Sequence, residues 1–212
     1  MADLISEVAR FRDWASAYPS ERGGEWECDY DHWSDLYDAV LKFADARPFA
    51  SWSADELRAV LYAVARDNEA QHLALEIRSR SAETLLALTG AAVEIGEADA
   101  KWQLAEELGH LAQAGAEAER LLLVFVRDEN EYVRRRSLGA LARLGSSDLE
   151  ELTLAAWHRP DDNQQWARMM ILWCLHRAGS QHLEPLLAEA EQDERPYLSD
   201  FARKVRRGEV DP

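Results

Sequence analysis

The chain has 212 residues, of which 47% are hydrophobic and 30% are charged. This balance is typical of a globular chain, and the length allows one domain or at most two small ones. No apolar run approaches the ~20 residues that a membrane span needs, which excludes an integral membrane protein. Forty acidic side chains stand against 24 basic ones, giving a net charge of −16. A field of that sign repels phosphate backbones, so nucleic acid is not a predicted partner.

The cellular location is predicted from the first residues and the cysteines. Asp3, Glu7 and Arg10 interrupt the N-terminal stretch, which therefore lacks the basic-then-apolar pattern of a secretory signal. Cys28 and Cys174 lie far apart and form no CxxC pair, so neither a disulfide framework nor a zinc site is predicted. Both features predict a cytoplasmic protein.

Residues 1–50 have helical periodicity without a repeat and are predicted to form an N-terminal helical cap. Residues 21–38 hold seven carboxylates against one arginine, interleaved with aromatic residues. One interpretation is a solvated loop followed by an amphipathic helix with Trp33 and Tyr37 on its core side. The alternative is a binding segment in which carboxylates steer a basic partner and aromatic residues anchor it. The residues of this candidate site are Glu25, Trp26, Glu27, Asp29, Tyr30 and Asp31.

From residue 51 to residue 212 apolar residues recur at spacings of three and four, which predicts amphipathic helices, about ten to twelve over the whole chain. No stretch alternates with period two for long enough to form a strand. Three blocks repeat at offsets of 30 and 34 residues, and weaker copies cover 54–81 and 181–208. The equivalent residue pairs are Leu108-Gly109, Leu138-Gly139 and Leu172-Trp173, preceded by the equivalent aromatic residues Trp102, Tyr132 and Trp166.

Residues 118–145 resemble a HEAT repeat, a family of armadillo-like helical repeats. They have an apolar first helix, a turn at Asp128, a second helix opened by Val133-Arg134 and a Leu-Gly-x-Leu close. The resemblance implies an all-α fold, an α-α superhelix in which residues 51–212 form a solenoid of helical hairpins behind the 1–50 cap. It also implies that second helices line the concave side. Asp128 and Arg134, and likewise Asp162 and Arg168, would bond each other in a ladder of turn residues.

Catalytic chemistry has little support in the sequence. None of the six histidines is followed by glutamate, and no two are spaced four apart, as a pair on one helix face binding a metal would be. No GxSxG motif and no phosphate-binding glycine-rich loop occurs. Accordingly, no catalytic residue, metal ligand or cofactor is predicted.

A helical wheel of the aligned second helices leaves one face free of core residues in each repeat. In the third repeat that face carries tryptophan and methionine, where a solvated helix would carry polar side chains. Tryptophan and arginine dominate binding hot spots. The face consists of Arg135, Gly139, Arg143, Met169, Trp173 and Arg177, and all but the glycine form the predicted binding patch. The alternative is that Trp173 packs under the adjacent helix.

These observations predict a non-catalytic protein–protein interaction module of HEAT-repeat type. Its partner is another protein, basic where it meets the acidic segment, and the chain itself is a monomer or a weak homodimer. A sharper hypothesis is an inhibitor or immunity-type protein that covers a partner's active site. The alternative class is a HEAT-like enzyme of the bilin lyase or DNA glycosylase type. A glycosylase would use a basic groove holding a carboxylate, and no motif distinguishes the lyase.

Overall fold

The computed structural model of the chain describes residues 3–17, 30–111, 115–159 and 164–211. These residues form twelve α-helices, one short 3₁₀ helix (Phe49–Ser51) and no strand, which confirms the all-α prediction. The helices are α1 (Leu4–Ser16), α2 (Trp33–Ala46), α3 (Ala54–Arg66), α4 (His72–Arg80), α5 (Ala82–Ile95), α6 (Ala98–Leu108), α7 (Gly115–Phe125), α8 (Glu131–Leu144), α9 (Leu149–Trp157), α10 (Gln164–Ala178), α11 (Leu183–Glu191) and α12 (Pro196–Arg206).

The helices stack in two rows, as an α-α superhelix of helical hairpins. In the first row, α1, α3, α6, α8, α10 and α12 each pack on the next. In the second row, α2, α4, α5 and α7 pack in sequence, while α9 and α11 lie against the first-row helices that flank them in the chain. One hairpin cannot bury both of its apolar sides, so stacking makes the core continuous. One buried cluster extends from Leu4 to Val205.

The described part of residues 1–50 packs on this stack. Helix α1 contacts α3 and α2 contacts α4, so the first two helices extend both rows. The weak repeat copy over 54–81 predicts that α3 is the first helix of a repeat, and this is wrong. Helix α3 packs between α1 and α6 in the first row, where the second helix of each later repeat lies. Helices α4 and α5 then follow each other in the second row. They are joined by Ser81, whose hydroxyl accepts a hydrogen bond from the Thr84 amide at 3.0 Å and so caps α5.

The glycine of the Leu-Gly motif is a helix-packing position. A Cβ at Gly109 would lie 2.7 Å from Ala140 Cα, and one at Gly139 would lie 3.1 Å from Met170 Sδ. Each glycine therefore admits the following helix of the first row to close approach. The prediction that Gly139 lies on a free face is wrong, because Gly139 is buried between α8 and α10. In the third repeat the same position is Trp173.

The predicted bond between the side chains of Asp128 and Arg134 is wrong, because each side chain has a different partner. Arg134 is 8% exposed, and its Nη1 donates to the main-chain carbonyls of Asp128 (2.8 Å) and Glu129 (2.7 Å). The Asp128 carboxylate instead accepts from Lys101 Nζ of the preceding repeat at 2.9 Å. Arg134 is buried at the start of α8 and reaches the backbone of the turn, while the carboxylate points to α6. The ladder therefore links neighbouring repeats.

The second predicted ladder pair cannot be followed, since Asp162 lies outside the described residues. The other residue of that predicted pair is Arg168. Its Nη1 lies 3.5 Å from a carboxylate oxygen of Asp193, which belongs to the turn before α12. Bilayer-spanning length is not reached by any helix within the described ranges; the longest, α10, has 15 residues.

Candidate protein-binding surface

A groove of about 280 Å³ opens between α8, α10 and α12. Its described lining consists of Arg135, Arg143, Trp166, Met169, Met170, Trp173 and Phe201, and these residues define what is called below the Trp173 groove. Four of the five residues of the predicted patch are in this lining. The fifth, Arg177, reaches the same tryptophan from the next turn of α10.

The indole of Trp173 is half-buried and is contacted by two arginines. The guanidinium carbons of Arg143 and Arg177 lie 5.6 and 5.7 Å from its ring centroid, within cation–π range. The indole Nε1 donates to the main-chain carbonyl of Asp211 at 3.0 Å. The ring packs against the edge of the core and also lines the groove. Both sequence interpretations of Trp173 therefore describe part of its environment.

The groove arginines are held in place by carboxylates of the chain. Arg135 Nε donates to Glu131 one turn earlier on α8 at 2.9 Å, and Arg143 Nη2 lies 2.6 Å from Glu106 of α6. Side chains fixed in this way lose little further conformational freedom when a ligand arrives. Arg177 is anchored differently, through its Nε, which donates to the carbonyl of Ala142 at 3.2 Å.

A second cavity, of about 350 Å³, adjoins the groove and shares Arg135 with it. Its lining adds Arg127, Arg134 and Arg159 above an apolar floor, and Glu131 is its one acidic residue among those described. The groove itself has arginine as its charged lining. Guanidinium groups thus prevail around both cavities, although the chain as a whole is strongly acidic.

Charge is segregated between the two helix rows in this half of the molecule. Helices α8, α10 and α12 carry nine arginine or lysine side chains and two carboxylates, whereas α7, α9 and α11 carry one arginine and seven carboxylates. Some of these charges pair across the rows, as Arg206 does with Glu184 and Glu191. The basic residues of the first row are Arg134, Arg135, Arg136, Arg143, Arg168, Arg177, Arg203, Lys204 and Arg206.

Of the six candidate residues between 25 and 31, the structure describes Tyr30 and Asp31. Tyr30 is 6% exposed, and its ring centroid lies 4.8 Å from that of Phe11 and 4.9 Å from that of Trp14. Burial raises the pKa of the Tyr30 phenol. The prediction that Tyr30 anchors a partner is wrong, because α1 and α2 enclose its ring in the core. Asp31 is exposed. The other predicted residues lie outside the described ranges: Glu25, Trp26, Glu27 and Asp29.

Sequence reasoning missed three residues of the groove lining. On α10, Trp166 lies three residues before Met169 and four before Met170, and Met170 lies three before Trp173, so a longer helical wheel would have placed them on the same face. Phe201 comes from α12, and no pattern within the chain indicates that it meets α10. A further contact to Trp173, from the main-chain carbonyl of Asp211, also comes from outside the repeat pattern.

The described part of the chain contains no cluster of three or more histidine, cysteine, aspartate or glutamate side chains that could bind a metal ion. The buried Cys174 thiol has its pKa raised to about 12 by desolvation. Comparison with models of protein families gives no match, and no curated protein matches the chain. The resemblance to HEAT repeats is therefore based on the motif of residues 118–145.

Proposed function

We propose that this protein is a non-catalytic interaction module of HEAT-repeat type that binds another protein at the Trp173 groove. The observation that carries the proposal is a half-buried tryptophan flanked by Arg143 and Arg177, next to Met169, in an open groove. Aromatic residues and arginine are the side chains on which interface energy concentrates. Methionine adds an apolar surface that adapts to the ligand.

The dimensions of the groove indicate what it takes from a partner. A volume of about 280 Å³ accommodates one or two side chains of a partner and lies at the lower end of the range of small-molecule pockets. An apolar side chain of the partner would contact Met169 and Trp173, and the arginines would face its polar flanks. An inhibitor that covers a partner's active site would use such a surface with a protruding segment of the enzyme as its ligand.

The test compares two tryptophans that have similar polar neighbours. Trp157 also lies beside an arginine (Arg168, 4.6 Å from the ring centroid) and donates its Nε1 to an oxygen (Glu189, 3.1 Å), but it is only 1% exposed. We expect Trp157→Ala to cost about 3–5 kcal/mol of unfolding free energy, as core tryptophans do. Trp173→Ala is expected to cost less than half as much, because its ring is already partly solvated.

Binding is measured on a partner captured with the tagged full chain from its native host and then purified. Trp173→Ala should weaken the affinity at least 30-fold, corresponding to about 2 kcal/mol, with a folded protein by circular dichroism. An unchanged affinity would show that the groove is not the interface. A stability loss equal to that of Trp157→Ala would show that Trp173 is a core residue. The activity of the purified partner, with and without this protein, tests the inhibitor hypothesis.

A further inference from the structure

The residues after α12 return across the first row. Gly208 has φ = +69°, a left-handed conformation that favours glycine. The Glu209 amide donates to the carbonyl of Lys204 at 2.9 Å, and the Gly208 amide to that of Val205 at 3.0 Å. This is the Schellman pattern that ends a helix and reverses the chain. It directs residues 209–211, called below the C-terminal segment, towards α10.

The C-terminal segment is held against Trp173 and His176, at the edge of the Trp173 groove, mainly through its backbone. The carbonyl of Asp211 accepts from Trp173 Nε1 at 3.0 Å, and the carbonyl of Val210 lies 3.2 Å from His176 Nε2. The side chain of Val210 is half-buried against the edge of the core. One aliphatic side chain and two main-chain carbonyls thus make the contact. Other peptide segments can supply the same groups.

The segment carries two carboxylates beside a surface lined by arginine, and the carboxylate of Glu209 pairs with Arg207 of its own turn (Nε–Oε1 2.6 Å). Glu209-Val210-Asp211 is an aliphatic residue between two carboxylates. Arg143 and Arg177 flank the ring that binds its backbone. The adjoining cavity adds further guanidinium groups. An acidic segment is attracted to this surface, and a basic one is repelled.

We propose that the Trp173 groove binds an acidic segment of a partner protein with an aliphatic residue at its centre, and that the C-terminal segment occupies part of this site in the free protein. The partner's carbonyls replace those of Val210 and Asp211 at His176 and Trp173. The inference rests on the proposed function and names the partner's chemistry. It differs from the basic partner that the sequence predicts for residues 25–31, because a different surface is used.

The test uses the full chain and a capped heptapeptide, Ser-Gly-Glu-Val-Asp-Gly-Ser. The variant Val210→Ser removes the aliphatic contact of the C-terminal segment, and Val124→Ser is its matched control, since Val124 is 42% exposed on α7. Titrations follow the ¹H–¹⁵N signal of the Trp173 indole, assigned by its loss in Trp173→Phe. We expect Val210→Ser to shift this signal in the free protein and to tighten peptide binding at least fivefold, while Val124→Ser changes neither.

A second peptide, with Lys-Val-Lys at its centre, and a single-stranded oligonucleotide define the chemistry of the site. Preference for the acidic peptide, weakened by salt and by Arg143→Gln, supports the inference. Equal or tighter binding of the lysine peptide would overturn the acidic partner, and tighter binding of the oligonucleotide would overturn the protein partner. Unchanged peptide affinity in Val210→Ser would show that the C-terminal segment does not compete.

These outcomes are separable from the proposed function. If the acidic peptide does not bind but Trp173→Ala still weakens the native partner, the inference fails and the interaction module stands. If the native partner binds Trp173→Ala as tightly as the unaltered chain, the proposed function fails, whatever the peptides do.

Discussion

The two buried motif glycines differ in what surrounds them, so one substitution made at both should have different effects. A Cβ at Gly109 would lie 2.7 Å from Ala140 Cα and 2.9 Å from Ala140 Cβ, both rigid parts of α8. A Cβ at Gly139 would meet only the end of Met170, with Sδ at 3.1 Å and Cε at 3.4 Å. Neither glycine has a positive φ, so alanine is conformationally allowed at both.

The magnitudes follow from these distances. Carbon atoms pack best about 3.5–4.0 Å apart, so Gly109→Ala is short by roughly an ångström against backbone and must separate α6 from α8. Overpacking of this kind costs about 1–3 kcal/mol. Gly139→Ala displaces a flexible thioether and gains up to about 1 kcal/mol of helix propensity inside α8. We expect a net loss of about 1–2 kcal/mol for Gly109→Ala and a change within about 0.5 kcal/mol for Gly139→Ala.

Urea denaturation followed by circular dichroism measures the difference, with equal slopes as the condition for comparing midpoints. Thermal melts should agree, since 1 kcal/mol corresponds to about 2–4 °C in a chain of this size. If Gly109→Ala were as stable as Gly139→Ala, the two helices would not be in the contact described, and the packing role of the motif glycine would be refuted.

Two further predictions concern the charged turns. A double-mutant cycle of Lys101→Met and Asp128→Asn should show a coupling energy of about 1 kcal/mol. Arg134→Ala should lower the free energy of unfolding by about 1–3 kcal/mol, with little coupling to Asp128→Asn. Strong coupling between Arg134→Ala and Asp128→Asn would contradict the main-chain role of the arginine. The Arg195 guanidinium holds the pKa of Asp193 at about 2, so its stabilisation, at most about 2 kcal/mol, is complete above pH ~4 and is lost as the pH falls through 2. Asp193→Asn should therefore be less stable than the unaltered chain at pH 7 and equal to it near pH 2, and a difference independent of pH would refute the ion pair.

The sequence was sufficient for the helical class because spacing along one helix depends only on its own residues. The wheel that grouped Met169 with Trp173 is of this kind, and the structure places both in one groove. Aligning the repeats added the arginines of α8, since equivalent positions in a stack lie side by side. Beyond residue 118 the motif located the successive hairpins correctly.

What could not be predicted depends on contacts between distant parts of the chain. The row occupied by α3 is decided by its packing against α1 and α6, which the weak repeat copy over 54–81 does not reflect. Tyr30 is buried because Phe11 and Trp14 reach it from α1. The carboxylate of Asp128 accepts a hydrogen bond from Lys101, 27 residues earlier, and not from Arg134, six residues later. Whole-chain charge, in turn, does not show how charge is divided between rows.

The same position of the repeat explains both the stacking and the groove. Gly109 and Gly139 lie where the next first-row helix approaches, and the absence of a side chain brings Ala140 and Met170 close. Trp173 occupies this position in α10, and a large ring there cannot be covered by α12 in the same way. Part of the ring is left to the groove and to the backbone of Asp211. A helix face that has no role in its own hairpin is thus a stacking surface when it carries glycine, and with tryptophan it leaves the half-buried surface that we propose as the binding site.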